Sequence, residues 1–407
     1  MYPDLSYLFH DLLGTAPDNW LSVLKTFGVF LILAFIASAY VLNLELKRKE
    51  KEGLLQGFTE KERIGFPATW QEIATNALFG FIIGFKLPYI AQHFEEFRPD
   101  PASIILSGKG TWLWGIVAAA GFGFFKYWDA KKRALAKPLI KEVKVMPHHR
   151  IGDITILAAI SGIIGARLFS IIESEENIKA FIKDPLDQLL SGSGLAIYGG
   201  LILAFITVYW YIYRKGMKPI HVMDAVAPAL IMGYGVGRLG CQFSGDGDWG
   251  IVNTAPTPGW WFLPDWAWAY TYPHNVLNDG VQIEGCVWDY CRQLGEAVYP
   301  TPLYETFFSL VIFTILWALR KRFKVAGMLF FLYVLLNGIE RFFIEKIRTN
   351  PDINILGMKA TQAEYVAGLL IMIGIVGMVY LWMKKNQNIE NYVETRLIAS
   401  LRNFLCF

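Results

Sequence analysis

From Glu364 to Met383 the sequence reads EYVAGLLIMIGIVGMVYLWM, and Lys384 and Lys385 follow directly. Beyond its opening glutamate the stretch carries no charge. A helix rises about 1.5 Å per residue, so the run covers about 30 Å, the thickness of a bilayer's hydrocarbon core. Eight further stretches read the same way, some more weakly: about 21–42, 75–93, 111–128, 153–172, 195–213, 223–240, 303–319 and 327–345. Composition agrees. Of 407 residues, 54% are apolar and 18% charged, against roughly a quarter charged in a soluble domain. Mean hydropathy is +0.35. Such a chain is neither disordered nor collagen-like, and four cysteines are too few for a disulfide scaffold. A net charge of +3 gives no footing for nucleic acid. The solvent for this much apolar surface is membrane lipid.

The gaps between the stretches alternate in charge. Lys47, Arg48, Lys49 and Lys51 follow the first, and Lys131, Lys132, Arg133 and Lys137 the third. Arg214, Lys215 and Lys218 follow the fifth, and Arg320, Lys321, Arg322 and Lys324 the seventh. The gaps between these are poor in basic residues. The expected fold is therefore an all-α polytopic membrane protein with about nine transmembrane helices, one integral membrane domain over 1–407. The positive-inside rule puts its N-terminus outside and its C-terminus in the cytoplasm. The first 24 residues hold no Lys or Arg, so no cleavable signal peptide is expected. No internal repeat of the kind common in transporters is visible. The longest loop, 241–302, is expected to be extracytoplasmic. It holds six of the 14 tryptophans, residues that favour the headgroup layer. Cys286 and Cys291 lie within it, and their spacing leaves a local disulfide open.

Ionisable residues inside spanning helices are costly and mark candidate sites. The useful set is Arg167 in the fourth stretch, Arg238 in the sixth, and Arg341 with Glu345 in the eighth. Each falls within roughly 10 Å of the outer end of its helix. Tyr198 lies near the outer start of the fifth. Arg341, Glu345 and Arg348 share one helix face by their i, i+4, i+7 spacing. Asp246 and Asp248 sit just beyond Arg238. Snorkelling to headgroups explains any one of these arginines. Several at one depth, with acids nearby, point instead to a site for an anionic group, because the guanidinium fork takes two phosphate oxygens at once. Gly235, Gly237 and Gly240 spell G-x-G-x-x-G, but no βαβ unit surrounds them, so close helix approach or access of a headgroup to the backbone is the better reading. Tyr304 and Glu305 open the seventh stretch, where Glu305 either orients an arginine or favours the helix N-terminus.

Gly235-Val-Gly-Arg-Leu-Gly240, then Phe243-Ser-Gly-Asp246 and Trp249-Gly250, resembles the G-R-x-G-N-F-x-N-x-E signature of the prolipoprotein diacylglyceryl transferase family. Four other stretches agree in order. Ser193-Gly-Leu-Ala-Ile-Tyr-Gly-Gly-Leu-Ile202 looks like the family's H-G-G-L-I-G, and Asp224-Ala-Val-Ala-Pro228 like its D-x-x-A-P. Tyr299-Pro-Thr-Pro-Leu-Tyr-Glu305 looks like H-P-x-Q-L-Y-E, and Arg341-Phe-Phe-Ile-Glu345 with Arg348 like R-x-x-x-E-x-x-R. The likeness covers the first apolar stretch and about 148–383. It implies an enzyme of the bacterial cytoplasmic membrane, its active site facing the outer leaflet. Such an enzyme moves the diacylglyceryl group of phosphatidylglycerol to the lipobox cysteine of a preprolipoprotein signal peptide. The resemblance implies catalytic roles for Arg238, Arg341, Tyr198 and Asp246. It implies phosphatidylglycerol binding by Arg238, Arg341, Arg167, Glu345, Arg348, Gly199, Gly200, Tyr304 and Glu305. The chain departs from the family at Tyr198, where the family carries His, at Cys241, in place of the signature Asn, and at Phe27, in place of Tyr. Residues 60–145 have no counterpart and are expected to be an inserted two-helix segment added to the usual seven spans.

The implied reaction attacks a glyceryl carbon with a thiolate that the substrate itself supplies. No metal or other cofactor is expected. Tyr198 is expected to donate a hydrogen bond rather than act as base, which leaves Asp246, Glu345 or water for that role. The alternative reading is a transporter or flippase for an anionic lipid or solute, or a scaffold that only binds such lipid.

Overall fold

The computed structural model describes the chain apart from residues 186–188, 190–195, 356–357 and 406–407, and, for side chains, also 102, 106, 197, 352, 355, 358 and 387–405. All nine apolar stretches contain helix: α2 Thr26–Lys51, α3 Trp70–Gln92, α4 Trp112–Arg133, α5 Ile151–Glu173, α6 Ile197–Arg214, α7 Pro219–Ser244, α8 Thr301–Leu319, α9 Met328–Glu345 and α10 Gln362–Leu405. The short α1, Leu5–Leu13, precedes them. Among the described residues six helical segments are long and apolar enough to cross a membrane: Thr26–Lys51, Trp70–Gln92, Pro147–Glu173, Pro219–Ser244, Thr301–Leu319 and Gln362–Asn386. The other three are less suited. α6 and α9 have 18 residues each, three of those in α9 being Glu340, Arg341 and Glu345. α4 ends on Lys131, Lys132 and Arg133. The molecule is a mostly helical, multi-pass membrane protein.

The Cα framework divides into two units, 1–19 with 24–55 and 218–407, and 20–23 with 56–217. In the first, α7 packs on α2 and α8, and α9 packs on α10. Ile231, Ile312, Leu316 and Leu329 form its buried centre, with Tyr234 and Phe313 against it. Small residues set the close approaches. A Cβ on Gly235 would strike the Ser309 hydroxyl of α8, and one on Gly240 would come within 2.8 Å of Phe30 on α2. Two glycines of the G-x-G-x-x-G string are thus helix contacts, as expected. The sixth stretch runs one turn further than its apolar pattern suggests. It ends at Gly245, whose φ of 64° suits a residue without Cβ. The loop that follows leads to Pro300. Tyr7 of α1 packs edge-on against Trp288 and Tyr290 of this loop. Cys286 and Cys291 form a disulfide there.

In the second unit, strand β1 (Phe58–Ile64) pairs antiparallel with β2 (Leu139–Val145), Phe58 opposite Val145 and Ile64 opposite Leu139. The strands bracket the α3–α4 pair, so this segment begins and ends on one ribbon. Glu60 on β1 receives both Arg150 and Lys215. α5 and α6 touch through glycines: a Cβ on Gly199 would lie 2.6 Å from the Gly165 carbonyl, and one on Gly200 2.8 Å from that of Gly162.

Candidate active site

Arg238 lies near the C-terminal end of α7, Arg341 and Glu345 near that of α9, and Glu305 in the first turns of α8. Antiparallel neighbours bring those ends together. Glu305 is fully buried and is the hub. Its Oε1 accepts from Arg341 Nη1 at 3.0 Å and from the Tyr234 hydroxyl at 3.0 Å. Its Oε2 lies 3.1 Å from Arg238 Nε and 3.8 Å from Arg348 Nη1. Arg341 also pairs with Glu345, one turn on, at 3.1 Å. Glu345 is held in turn by the Asn350 amide at 2.6 Å and the Thr361 hydroxyl at 2.8 Å.

Asp248 closes the network from the loop, pairing with Arg238 and with Arg348. Its position is set by backbone pairing. Gly250 bridges to Arg348, Ile251 N–H donates to the Ile347 carbonyl at 2.8 Å, and the Thr301 hydroxyl donates to the Asp248 carbonyl at 2.6 Å. Gly250 is required there, since a Cβ would strike the Ile347 carbonyl.

Three guanidiniums thus meet three carboxylates, and the carboxylates differ in one respect. The Glu305 and Glu345 side chains have no exposure, whereas that of Asp248 is 31% exposed. Burial pushes the Asp248 carboxyl up, but Arg238 and Arg348 outweigh it and hold its pKa below the usual carboxylate value. Asp246 is the opposite case: burial, and then the charge of Asp248, lift it. Asp246 accepts the Asp248 N–H at 3.3 Å. Cys241 is buried, with Sγ 3.9 Å from Arg238 Nη1. Cys241, Asp246 and Asp248 bring possible ligand atoms within 4.8 Å of one another. The two guanidiniums at Asp248 make that a poor place for another cation, and we assign no metal to it.

Of the residues singled out from the sequence, Arg238, Arg341, Glu345, Arg348 and Glu305 are joined in one network, with Asp246 beside it. Glu305 orients two arginines, which answers the choice left open above. The Tyr304 hydroxyl donates to the Trp268 carbonyl at 3.2 Å, fastening the loop. Arg167 (buried in α5), Tyr198, Gly199 and Gly200 belong to the second unit. Residues 193–195, the start of the motif containing Tyr198, lie outside the described residues. Asp224, from the D-x-x-A-P match, is at the far end of α7, where it caps α9 by accepting from Gly327 N–H at 2.8 Å and Phe330 N–H at 3.1 Å. Sequence reasoning placed Asp248 beside Arg238 without its pairing to Arg348, and gave no role to Tyr234, Asn350 or Thr361. Tyr234 was within its reach, lying four residues before Arg238 on one helix face.

Comparison with known proteins adds independent findings. The chain is 28% identical over 283 residues to the phosphatidylglycerol–prolipoprotein diacylglyceryl transferase of Staphylococcus xylosus, covering 69% of this chain and 88% of the relative. It is 31% identical over 291 residues to the enzyme of the same name from Staphylococcus aureus strain Newman, covering 70% and 91%. Neither relative is a transporter or flippase by name. The sequence model described as prolipoprotein diacylglyceryl transferase matches residues 111–380, which include every member of the arginine network. The chain belongs to the prolipoprotein diacylglyceryl transferase family.

Proposed function

We propose that this protein transfers the diacylglyceryl group of phosphatidylglycerol to the lipobox cysteine thiol of a preprolipoprotein. The observation that carries the reading is the arginine triad of Arg238, Arg341 and Arg348 around buried Glu305, with Asp248 as its partly exposed counter-ion. The substrate sulfur attacks the glyceryl CH₂ next to the phosphate. A C–S bond forms, the C–O bond breaks, and its electron pair leaves on glycerol phosphate. The thiol proton passes to a base, and the departing phosphate gains one negative charge. Guanidiniums fixed at low dielectric stabilise that developing charge without having to reorganise. Nearby positive charge also makes the thiolate more available.

The triad is already neutralised, so an entering phosphodiester has to take the place of a carboxylate. Asp248 is the one placed to yield, being partly exposed and on a loop where Gly245 and Gly247 adopt φ of 64° and 94°. Glu305 and Glu345 stay as fixed orienting groups. Asp246, whose carboxylate pairs with no arginine among the described ion pairs, is the base we favour over Glu345. Tyr198 donates a hydrogen bond to the substrate, and Arg167, Gly199 and Gly200 line the bound lipid. The protein acts in the bacterial cytoplasmic membrane with this network toward the outer leaflet.

The test is reconstitution of the purified protein with phosphatidylglycerol and a lipobox peptide. A thioether product with one glycerol phosphate per turnover is expected. Lipid movement across the bilayer without product would overturn the reading in favour of a flippase. An impermeant thiol reagent on spheroplasts checks orientation: a cysteine at Leu277 should label from outside and one at Lys137 should not.

A further inference from the structure

We propose a second anionic-lipid site, at the opposite end of the same helices from the arginine triad. A groove of about 500 Å³ opens where the connection after α8 meets the start of α9 and the middle of α10. Arg322, Lys324 and Lys385 line it, over a floor that includes Met328, Met378 and Trp382. The lining holds no acidic residue. In the triad each guanidinium meets a carboxylate of the chain, whereas the cations of this groove meet none in its lining. None of the described ion pairs involves Arg322, Lys324 or Lys385, so an anion from outside can meet all three.

The apolar floor says what kind of anion. Met378 and Trp382 are one turn apart on one face of α10, and Trp382 is 59% exposed. Free phosphate gains nothing from such a surface. A phospholipid places its phosphate among the three cations and its first acyl carbons along the Met and Trp side chains. Basic pockets between spanning helices recognise anionic headgroups in this way. Met328 and Arg341 are thirteen residues apart on α9, about 20 Å along the axis. One lipid headgroup cannot serve both sites, and the groove faces the leaflet opposite the triad. Its occupant is an anionic phospholipid held as a fixed partner rather than consumed.

The experiment reads lipid retention and not transfer, so its outcome is independent of the reaction proposed above. Full-length protein carrying Arg238→Ala, which weakens lipid capture at the triad, is placed in phosphatidylcholine nanodiscs with a small fraction of brominated phosphatidylglycerol. Lipid carried through purification is counted by mass spectrometry. We expect retained brominated lipid, and at least a tenfold loss of apparent affinity when Arg322→Gln, Lys324→Gln and Lys385→Gln are combined. The charge-keeping set Arg322→Lys, Lys324→Arg and Lys385→Arg should retain it. Millimolar inorganic phosphate should not displace it. Unchanged retention in the glutamine variant, equal retention of brominated phosphatidylcholine, or equal competition by phosphate would each overturn the proposal.

Discussion

The first unit holds two buried charge networks, one at each end of its helices. At the reacting end Arg238, Arg341 and Arg348 meet Glu305, Glu345 and Asp248. At the other, Glu45 of α2 takes Arg48 at 2.7 Å and Arg320 at 2.9 Å, while Lys49 stands 3.6 Å from Asp224. Burial does not tell them apart: Arg48 and Arg320 are each 14% exposed, Arg238 15% and Arg341 21%. The anions do. Asp224 sits inside α7, 6% exposed, and is tied to two N–H groups of α9. Asp248 sits on a glycine-flanked loop and is five times as exposed. A network whose every anion is built into a helix can only hold helices together. A network with one anion on a loop can exchange it for a substrate.

Removing one arginine from each network tests that contrast most strongly. Arg238→Ala and Arg341→Ala should each cut transfer by on the order of 10²–10³, the usual cost of losing one preorganised donor. Lysine should rescue poorly, because it offers a point charge in place of a fork. Arg320→Ala should leave the rate per folded molecule unchanged and lower stability by about 1–3 kcal/mol, since Glu45 keeps Arg48 as a partner. Transfer assays paired with thermal unfolding in detergent read both effects. Equal loss of activity in all three variants would erase the distinction.

How much of this the sequence discloses depends on the range of the interaction. Arg341, Glu345 and Arg348 repeat on one helix face, and a charge inside an apolar run is conspicuous, so the cationic half of the site is legible. Asp248 can be placed beyond Arg238 but not against Arg348, because that contact depends on Gly250 pairing with Arg348, nearly a hundred residues away. Asp224 illustrates the converse. Its motif is legible, and so is its place ~21 Å down the same helix from Arg238, but its partner Gly327 is 103 residues distant and only folding brings the two together. Nine helical stretches can be read from apolar runs, yet α9 spends its polarity on the site and falls outside the six of spanning quality. The β1–β2 ribbon is hard to read because lysines between apolar runs look like loop charge. Its signal was the alternation of sign, for Lys61 faces Glu142 and Glu62 faces Lys141. That pairing closes the segment over 60–145 on itself, although the family match begins at residue 111, within it.

If transfer works chiefly through charge, a neutral donor such as the one we propose at Tyr198 should count for less. Tyr198→Phe should keep measurable transfer, down about 10–100-fold, the scale of a hydrogen bond to a charged group at ~1.5–3 kcal/mol. Tyr198→His should be tolerated, because the H-G-G-L-I-G motif that this segment resembles has histidine there. Complete loss in Tyr198→Phe, with an alkaline limb that Tyr198→His moves toward neutral pH, would make Tyr198 the base. Otherwise the pH profile should belong to Asp246. Its pKa is raised, so the proton acceptor appears only as pH climbs through that raised value, and the rate should climb with it. The ionised form is also the one the fold disfavours, so the stability cost of Asp246 is relieved as pH falls through the same value. Asp246→Asn should flatten the rate limb. Asp248, held low by two arginines, stays ionised across the same range and contributes no limb.

The smallest expected effect is the one that bears most directly on the exchange of anions. Asp248→Asn removes the negative charge from Arg238 and Arg348 while keeping the size of the side chain. If Asp248 occupies the place of the substrate phosphate, the variant should bind phosphatidylglycerol better, with KM lower by about 3–10-fold, a change of roughly 0.7–1.4 kcal/mol. That range suits a partly exposed pair, where much of the Coulomb energy is screened. Glycerol phosphate should also inhibit the variant more strongly, since the product meets the same vacated forks. Asp224→Asn makes the same chemical change at the other end. It should leave KM alone and cost about 1.5–3 kcal/mol of stability, because Lys49 loses its anion and α9 its charged cap. If Asp248→Asn instead raises KM and lowers the melting temperature as Asp224→Asn does, then Asp248 is a strut like Asp224. The substrate would then have to find its cation without displacing anything.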